Sequence, residues 1–335
     1  MAKTVGVDLG TANTLVCLKG AGIVVRAPSV VAINRDTREI IAQGGDAKRM
    51  MGKTPMGISA FRPIKDGVIT DADVASGMLR NYFKGIGALS TFSRPFVIAS
   101  IPYGVTEVER QALESAAFYA GARKVALIDE PLAAAIGTGL NISGPKGTML
   151  VDIGGGTTEV AVISMGGIVA SQSVRIAGDE LDLAIVDYIK ATRKVHIGLS
   201  TAEELKIRIG SAHEDGRNGK LTVSGMSLTR RSGVMLEIET AEIREAIKEP
   251  IDSIISTIKQ AMEQTPPELS SDLYDFGIAL TGGGSQLDGL GQLISERTGV
   301  RVRTARNPMD SVCRGIYRVI ENIEELEGFL RFRER

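Results

Sequence analysis

The stretches Val7-Asp8-Leu9-Gly10-Thr11-Ala12-Asn13-Thr14 and Val151-Asp152-Ile153-Gly154-Gly155-Gly156-Thr157-Thr158 are two copies of one device, 144 positions apart. Each follows a short apolar run and precedes another, which predicts a β-hairpin whose turn is built of small residues. Such a turn lets backbone N–H groups approach an anion closely. Each copy also carries one Asp where its first strand ends. Two loops of this kind, facing each other, close on a polyphosphate from both sides. Their carboxylates then face a hydrated divalent cation, because Mg²⁺ sheds its water reluctantly.

The repeat runs beyond the loops. Gly22-Ile23-Val24 and Ser29-Val30 are echoed by Gly167-Ile168-Val169 and Ser173-Val174, so each half is expected to begin as a three-stranded meander. The first half continues with a strand from Val97 to Pro102, a helix from Thr106 to Ala120 stopped by Gly121, a strand from Val125 to Asp129, and a helix opened by Pro131. The second half repeats that order. It has a strand from Gly277 to Leu280, the turn Thr281-Gly282-Gly283-Gly284, a helix from Leu287 to Thr298 stopped by Gly299, a strand from Val300 to Thr304, and a helix after Pro308. Proline is tolerated at a helix start because the first N–H has no intrahelical partner. The fold class is therefore α/β, with two duplicated halves packed around one deep cleft.

Two unlike inserts interrupt the repeat, one from 34 to about 73 and one from about 181 to 240, and each reads as a small subdomain. The expected division is a first domain over 1–145 completed by a C-terminal helix in 308–335, and a second domain over 146–307. With 335 residues there is enough chain for two full cores. The 39 basic and 40 acidic residues balance to a net charge of −1, so no nucleic-acid partner is indicated. The start of the chain shows no secretory signal, and no apolar run approaches the roughly 20 residues of a spanning helix. Cys17 and Cys313 lie far apart in apolar stretches and read as buried free thiols of a cytoplasmic protein. His196 and His213 are too sparse for a metal cluster.

Two such loops plus the third Gly-rich turn resemble the actin superfamily, which joins actins, heat-shock chaperone ATPase domains and sugar kinases in one fold of two ribonuclease-H-like domains. The stretches Asp8 to Thr14, Arg62-Pro63-Ile64-Lys65-Asp66-Gly67-Val68-Ile69, Asp129-Glu130-Pro131-Leu132-Ala133-Ala134-Ala135-Ile136-Gly137, Asp152 to Val160 and Thr265-Pro266-Pro267-Glu268-Leu269 are similar to the MreB family, the bacterial actins. The similarity runs from Val5 to about Ile320. By this resemblance Asp8 and Asp152 hold Mg²⁺ through its waters. Gly10, Thr11, Ala12 and Asn13 face the β-phosphate of ATP or ADP, and Gly154, Gly155, Gly156 and Thr157 surround the β- and γ-phosphates. Glu130 orients the attacking water with the help of Thr157; a plain alternative is an acid favoured by the dipole at a helix start. Positioning dominates such a reaction, because its loose transition state asks for little covalent help. Glu203 and Lys206, three apart on one helix face, meet ribose and adenine, or else form a surface ion pair. Gly178 and Asp179 form a ribose-side turn, and Gly282, Gly283 and Gly284 hold the nucleoside.

The same resemblance implies an ATP-driven, slowly hydrolysing filament of head-to-tail subunits at the inner face of the cell membrane, working with membrane-bound cell-shape and wall-synthesis proteins. Leu89 and Phe92, in the Gly/Ser-rich run Gly85 to Arg94, are the candidates for dipping into lipid, at roughly 1.5–3 kcal/mol each; folding back onto the core is the alternative. Along a filament such small contributions accumulate. The tail Phe329-Leu330-Arg331-Phe332-Arg333 is a second lipid candidate, with a frayed terminus as its alternative. Other readings are a soluble phosphotransferase on the same fold, which needs a substrate pocket not evident in the inserts, and a filament that barely hydrolyses. A chaperone is disfavoured because no peptide-binding domain follows. Two features depart from the family pattern: a shorter segment from Ser211 to Leu236, bearing on lateral contacts, and Tyr103 where a small residue is usual.

Overall fold

Both copies of the repeat form antiparallel hairpins in one register. Strand Thr4–Leu9 pairs with Asn13–Leu18 so that Asp8 faces Leu15, and Thr148–Ile153 pairs with Thr158–Ser164 so that Asp152 faces Glu159. Each partner lies 144 positions from its counterpart. A computed structural model describes residues 3–334; Met1, Ala2 and Arg335, which the sequence reading gives to the first domain, lie outside them. The chain divides into one unit of Met1–Pro145, Ser164–Ile168 and Met309–Arg335, and a second of Lys146–Ile163 and Val169–Pro308.

In the first unit the sheet order is Arg331–Glu334, Lys124–Asp129, Phe96–Ile101, Thr4–Leu9, Asn13–Leu18, Gly22–Pro28. The central strands are parallel and the meander antiparallel. The second unit has the order Val302–Thr304, Ile278–Thr281, Thr148–Ile153, Thr158–Ser164, Gly167–Val174, which repeats the last five strands of the first. Buried strand residues such as Val5, Val7, Val97, Val125 and Leu127 make the first core with Phe83, Met78 and Leu79 from the helix Ala72–Gly85. The second is built on Met149, Val151, Val160, Val162 and the isoleucines of the 24-residue helix Thr240–Glu263.

Both inserts join the main core of their unit. The first, with strands Ile40–Gln43, Val31–Asn34 and Ile58–Phe61, does so through Val31, Ile33 and Ile64, and adds a small cluster of its own around Val30, Ala32 and Ala47. The second, with strands Val195–His196, Lys220–Ser227 and Gly233–Glu239, shares the main core of its unit through Val195, Ile197, Val223 and Ile238.

Local signals place most helix ends. Thr106 and Glu109 form a reciprocal capping box at the start of helix Glu107–Ala120, and Gly121 ends it at φ 113°. The helix expected from Leu287 begins at Leu290, because Gly289 at φ 71° breaks the chain just before it. Pro308 opens a short 3-10 turn, and the α-helix runs from Ser311 to Glu321. The end of the chain departs from the expected C-terminal helix and from a frayed tail: after that helix and a further turn, Arg331–Glu334 pairs antiparallel with Lys124–Leu127 as an edge strand. Phe332 stacks on Phe96 at 6.3 Å, with the Lys124 ammonium 4.4 Å from its ring.

Two helices of the first unit touch backbone to backbone. A Cβ on Gly137, in helix Glu130–Thr138, would lie 1.8 Å from the Ser311 carbonyl oxygen. One on Gly315 would lie 1.7 Å from that of Ala133. Only glycine fits at either position.

Candidate functional site

In the first unit, Asp8 ends its strand nearly buried, with the Ser100 hydroxyl 3.4 Å away and donating to it. The loop after it is tied from behind. Ser29 donates its N–H to the Ala12 carbonyl and its hydroxyl to that of Gly10, and Thr14 bonds to Ser29. Gly10 has no room for a side chain, since a Cβ would meet the Asn13 carbonyl at 2.9 Å.

The second unit builds its loop in the same way. Gly154 donates to the Thr157 carbonyl at 2.9 Å, Gly178 to that of Gly154, and Asp179 to that of Gly155 at 2.7 Å. Thr158 donates its hydroxyl to the Ile176 carbonyl. In both loops the carbonyls are thus drawn back into the protein. Among the described residues the N–H groups of Thr11, Ala12, Gly155, Gly156 and Thr157 meet no protein acceptor. Unclaimed N–H groups on a turn of small residues are what an anion-binding nest requires.

Asp152 sits where the third Gly-rich turn closes on its strand. A Cβ on Gly282, at φ 83°, would fall 2.2 Å from Asp152 Oδ1, and one on Gly284 2.4 Å from Ile153 Cγ2. Gly282 and Gly284 are therefore used in packing the turn against Asp152 and Ile153, and Gly283 is the exposed member that starts the 3-10 turn Gly283–Gln286. Desolvation pushes the Asp152 carboxyl up to about 7, with no neighbouring cation to offset it. A carboxylate so placed is short of positive charge, which a divalent cation would supply. This donor chemistry fits Mg²⁺ held through water. Among the described residues no three His, Cys, Asp or Glu side chains gather into a direct cage.

Glu130 is the first residue of helix Glu130–Thr138, and Asp129 before it makes no cap with its side chain. The Arg331 guanidinium lies 2.9 Å from Asp129, and burial pushes the Asp129 carboxyl up against that pull. Glu203 and Lys206 share helix Leu199–Ile209 as expected. The Lys206 ammonium is held at 2.8 Å by Asp182 and donates at 2.7 Å to the Gly178 carbonyl, so it is not in a plain surface pair with Glu203. Asp182 was missed by sequence reasoning; its signal was its place four residues after Gly178, on the same helix face. A second contact had no local signal: Gly67, in the turn Asp66-Gly67 with φ 51° and 75°, donates its N–H to the Thr11 hydroxyl at 2.9 Å.

The two lipid candidates part company. Ser90 and Ser93 close a tight turn by mutual backbone hydrogen bonds, and Phe92 at its tip is 99% exposed. Leu89 turns inward against the core beside Gly121. The tail, Phe332 included, is held in the sheet edge. No helix among the described residues is long and apolar enough to cross a membrane.

Comparison with known proteins gives a consistent answer. A family model described as MreB/Mbl protein matches residues 2–328. The cell shape-determining protein MreB of Escherichia coli K12 is 46% identical over 335 aligned positions, covering 98% of this chain and 96% of that one. The cell shape-determining protein Mbl of Bacillus subtilis is 43% identical over 97% of this chain and 98% of its own. The crystal structure of MreB5 of Spiroplasma citri bound to AMPPNP superposes with a TM-score of 0.93 at 33% identity, covering 98% of each chain. The fold is actin-like, and the chain belongs to the MreB/Mbl family of cell shape-determining actin homologues.

Proposed function

We propose that this chain binds ATP and ADP with Mg²⁺ and assembles head to tail into filaments that hydrolyse ATP slowly, at the inner face of the cell membrane. The observation that carries the reading is the pair of matching loops, each with unclaimed N–H groups and a strand-ending Asp. The AMPPNP and ADP bound in the two Spiroplasma citri MreB5 structures support it.

In this reading Gly10 to Asn13 and Gly154 to Thr157 hold the phosphates by backbone N–H groups, and Asp8 and Asp152 orient the waters around the cation. A cation held there by Asp8 and Asp152 would supply positive charge to the phosphate oxygens. Glu130, fixed at a helix start, orients the attacking water with Thr157. Glu203 and Lys206 lie on the nucleoside side with Gly178, Asp179 and the turn Gly282 to Gly284. Phe92 contributes a modest lipid contact that counts only when many subunits are joined. Partners are further copies of the chain in an open-ended contact, together with membrane-bound cell-shape and wall-synthesis proteins.

Sedimentation with ATP and Mg²⁺, with phosphate release followed in the same tubes, tests this. Pelleting with release that is lost in Glu130→Ala is the expected result. Release that requires a small hydroxylated co-substrate would overturn it in favour of a phosphotransferase.

A further inference from the structure

Lys206 poses an electrostatic question. Its side chain is only 15% exposed, and its ammonium donates to the Gly178 carbonyl at the first turn of helix Gly178–Arg193. The positive end of a helix dipole repels a cation there. Asp182, one turn further along, is 10% exposed and meets Lys206 at 2.8 Å, offsetting that repulsion. Gly178 in turn donates to the Gly154 carbonyl and Asp179 to that of Gly155. A Cβ on Gly178 would lie 3.5 Å from Lys206 Nζ and 3.4 Å from the Gly154 oxygen, so the glycine is a spacer between the two. An unbroken path runs from helix Leu199–Ile209 through Lys206 and Gly178 to the phosphate loop, and Asp182 holds its one charged joint.

We propose that Asp182 is a positioning residue of the nucleotide site, fixing through Lys206 the spacing between the nucleoside-side helix and the phosphate loop Gly154 to Thr157. This rests on the nucleotide reading above. The groups facing Asp182 are Lys206 and Glu203 from the neighbouring helix and Asp179 from its own. Burial, opposed by Lys206, brings its carboxyl up to about 6. The joint is charged at pH 8 and discharged below pH 6.

The test compares the parent with Asp182→Asn by equilibrium binding of a fluorescent ADP analogue between pH 5.5 and 8.5. The expected result is about tenfold weaker binding by the variant at pH 8, the size of one partly buried ion pair. The ratio should narrow towards one at pH 5.5, while the thermal midpoint at pH 8 does not fall. Taking a ratio removes the ionisation of the phosphate itself and of groups elsewhere. Equal affinities, or a ratio constant with pH, overturn the proposal, since a merely structural role lowers the thermal midpoint without a titration near 6. If the variant does not fold, adenosine binding to the parent decides: it has no phosphate to titrate, and an affinity that stays flat through pH 6 overturns the proposal. A parent that binds no ADP at any pH overturns the nucleotide reading and this inference together.

Discussion

Gly315→Ala tests whether the backbone contact between helices Glu130–Thr138 and Ser311–Glu321 sets both the stability and the catalytic geometry of the first unit. The added methyl would lie 1.7 Å from the Ala133 oxygen, 2.5 Å from its carbonyl carbon and 3.0 Å from its Cα. Ordinary contact begins near 3.4 Å, and no flexible side chain stands at the clash to give way. The helices must therefore separate by roughly 1.5 Å, and a gap of 0.5–1 Å already forfeits about a quarter to a half of each contact's attraction. Val312, Ile316, Val319 and Ile320 on the moving helix are buried, and each is worth about 1.5–3 kcal/mol when fully packed. Losing about a third of that across four side chains is about 2–4 kcal/mol, from which the better helix propensity of Ala returns about 1 kcal/mol. The net expectation is about 1–3 kcal/mol of lost stability, within the usual range for overpacking. Since Ala133 is one turn from Glu130, a displacement of about 1 Å at the carboxylate lowers phosphate release by up to about 10²-fold. Urea unfolding gives the first quantity and phosphate release the second. Gly328→Ala, where a Cβ meets nothing within 4 Å, is the control. If Gly315→Ala unfolds at the same urea concentration as that control and releases phosphate at the parent rate, the packing argument is wrong.

Three further outcomes follow from the geometry. Asp152 has its carboxyl raised from 3.8 to about 7 by burial, so the folded state holds a proton that the unfolded chain gives up earlier. Its contribution to stability is full below about pH 4 and is lost as pH rises through 7, which makes Asp152→Asn more stable than the parent at pH 8 by up to a few kcal/mol in Mg²⁺-free buffer. Urea midpoints at pH 4 and pH 8 that differ between the two proteins by the same amount would refute this. Phe92→Ser should weaken pelleting with acidic liposomes at unchanged thermal midpoint, whereas Leu89→Ser should lower the midpoint by removing a packed side chain; the reverse assignment would show that the turn presents the wrong residue. Thr106→Ala removes the hydroxyl that accepts from the Glu109 N–H and should cost about 1 kcal/mol in urea unfolding, with phosphate release unaffected.

How far the sequence could be read follows from where the information lies. The hairpin loops were legible because their meaning is local: an apolar run, an Asp, small residues and another apolar run, within a dozen positions. The order of elements along the chain was legible because the chain states it twice, and a helix or strand doubtful in one half could be checked about 144 to 180 residues on. Duplication gives no help where the halves differ. Strand Arg331–Glu334 has no counterpart in the five-stranded sheet of the second unit, and its only local trace is the alternation of Leu330 and Phe332 with arginines. Gly137 and Gly315 carry no local sign that two helices touch at them. Asp182 draws no reading until Lys206 is found against it, and Leu89 and Phe92 read alike until a turn between Ser90 and Ser93 sends one inward and the other out. In each case the missing fact is a contact between segments far apart in the chain, or the sense of a turn, which composition does not encode. The residues proposed to hold a ligand can thus be named from the motif that repeats, while those that hold these residues in place belong to contacts made once. Substitutions at Asp182, Gly137 and Gly315 are therefore the sharper tests of the site, because a reading copied from the repeat alone assigns them no effect.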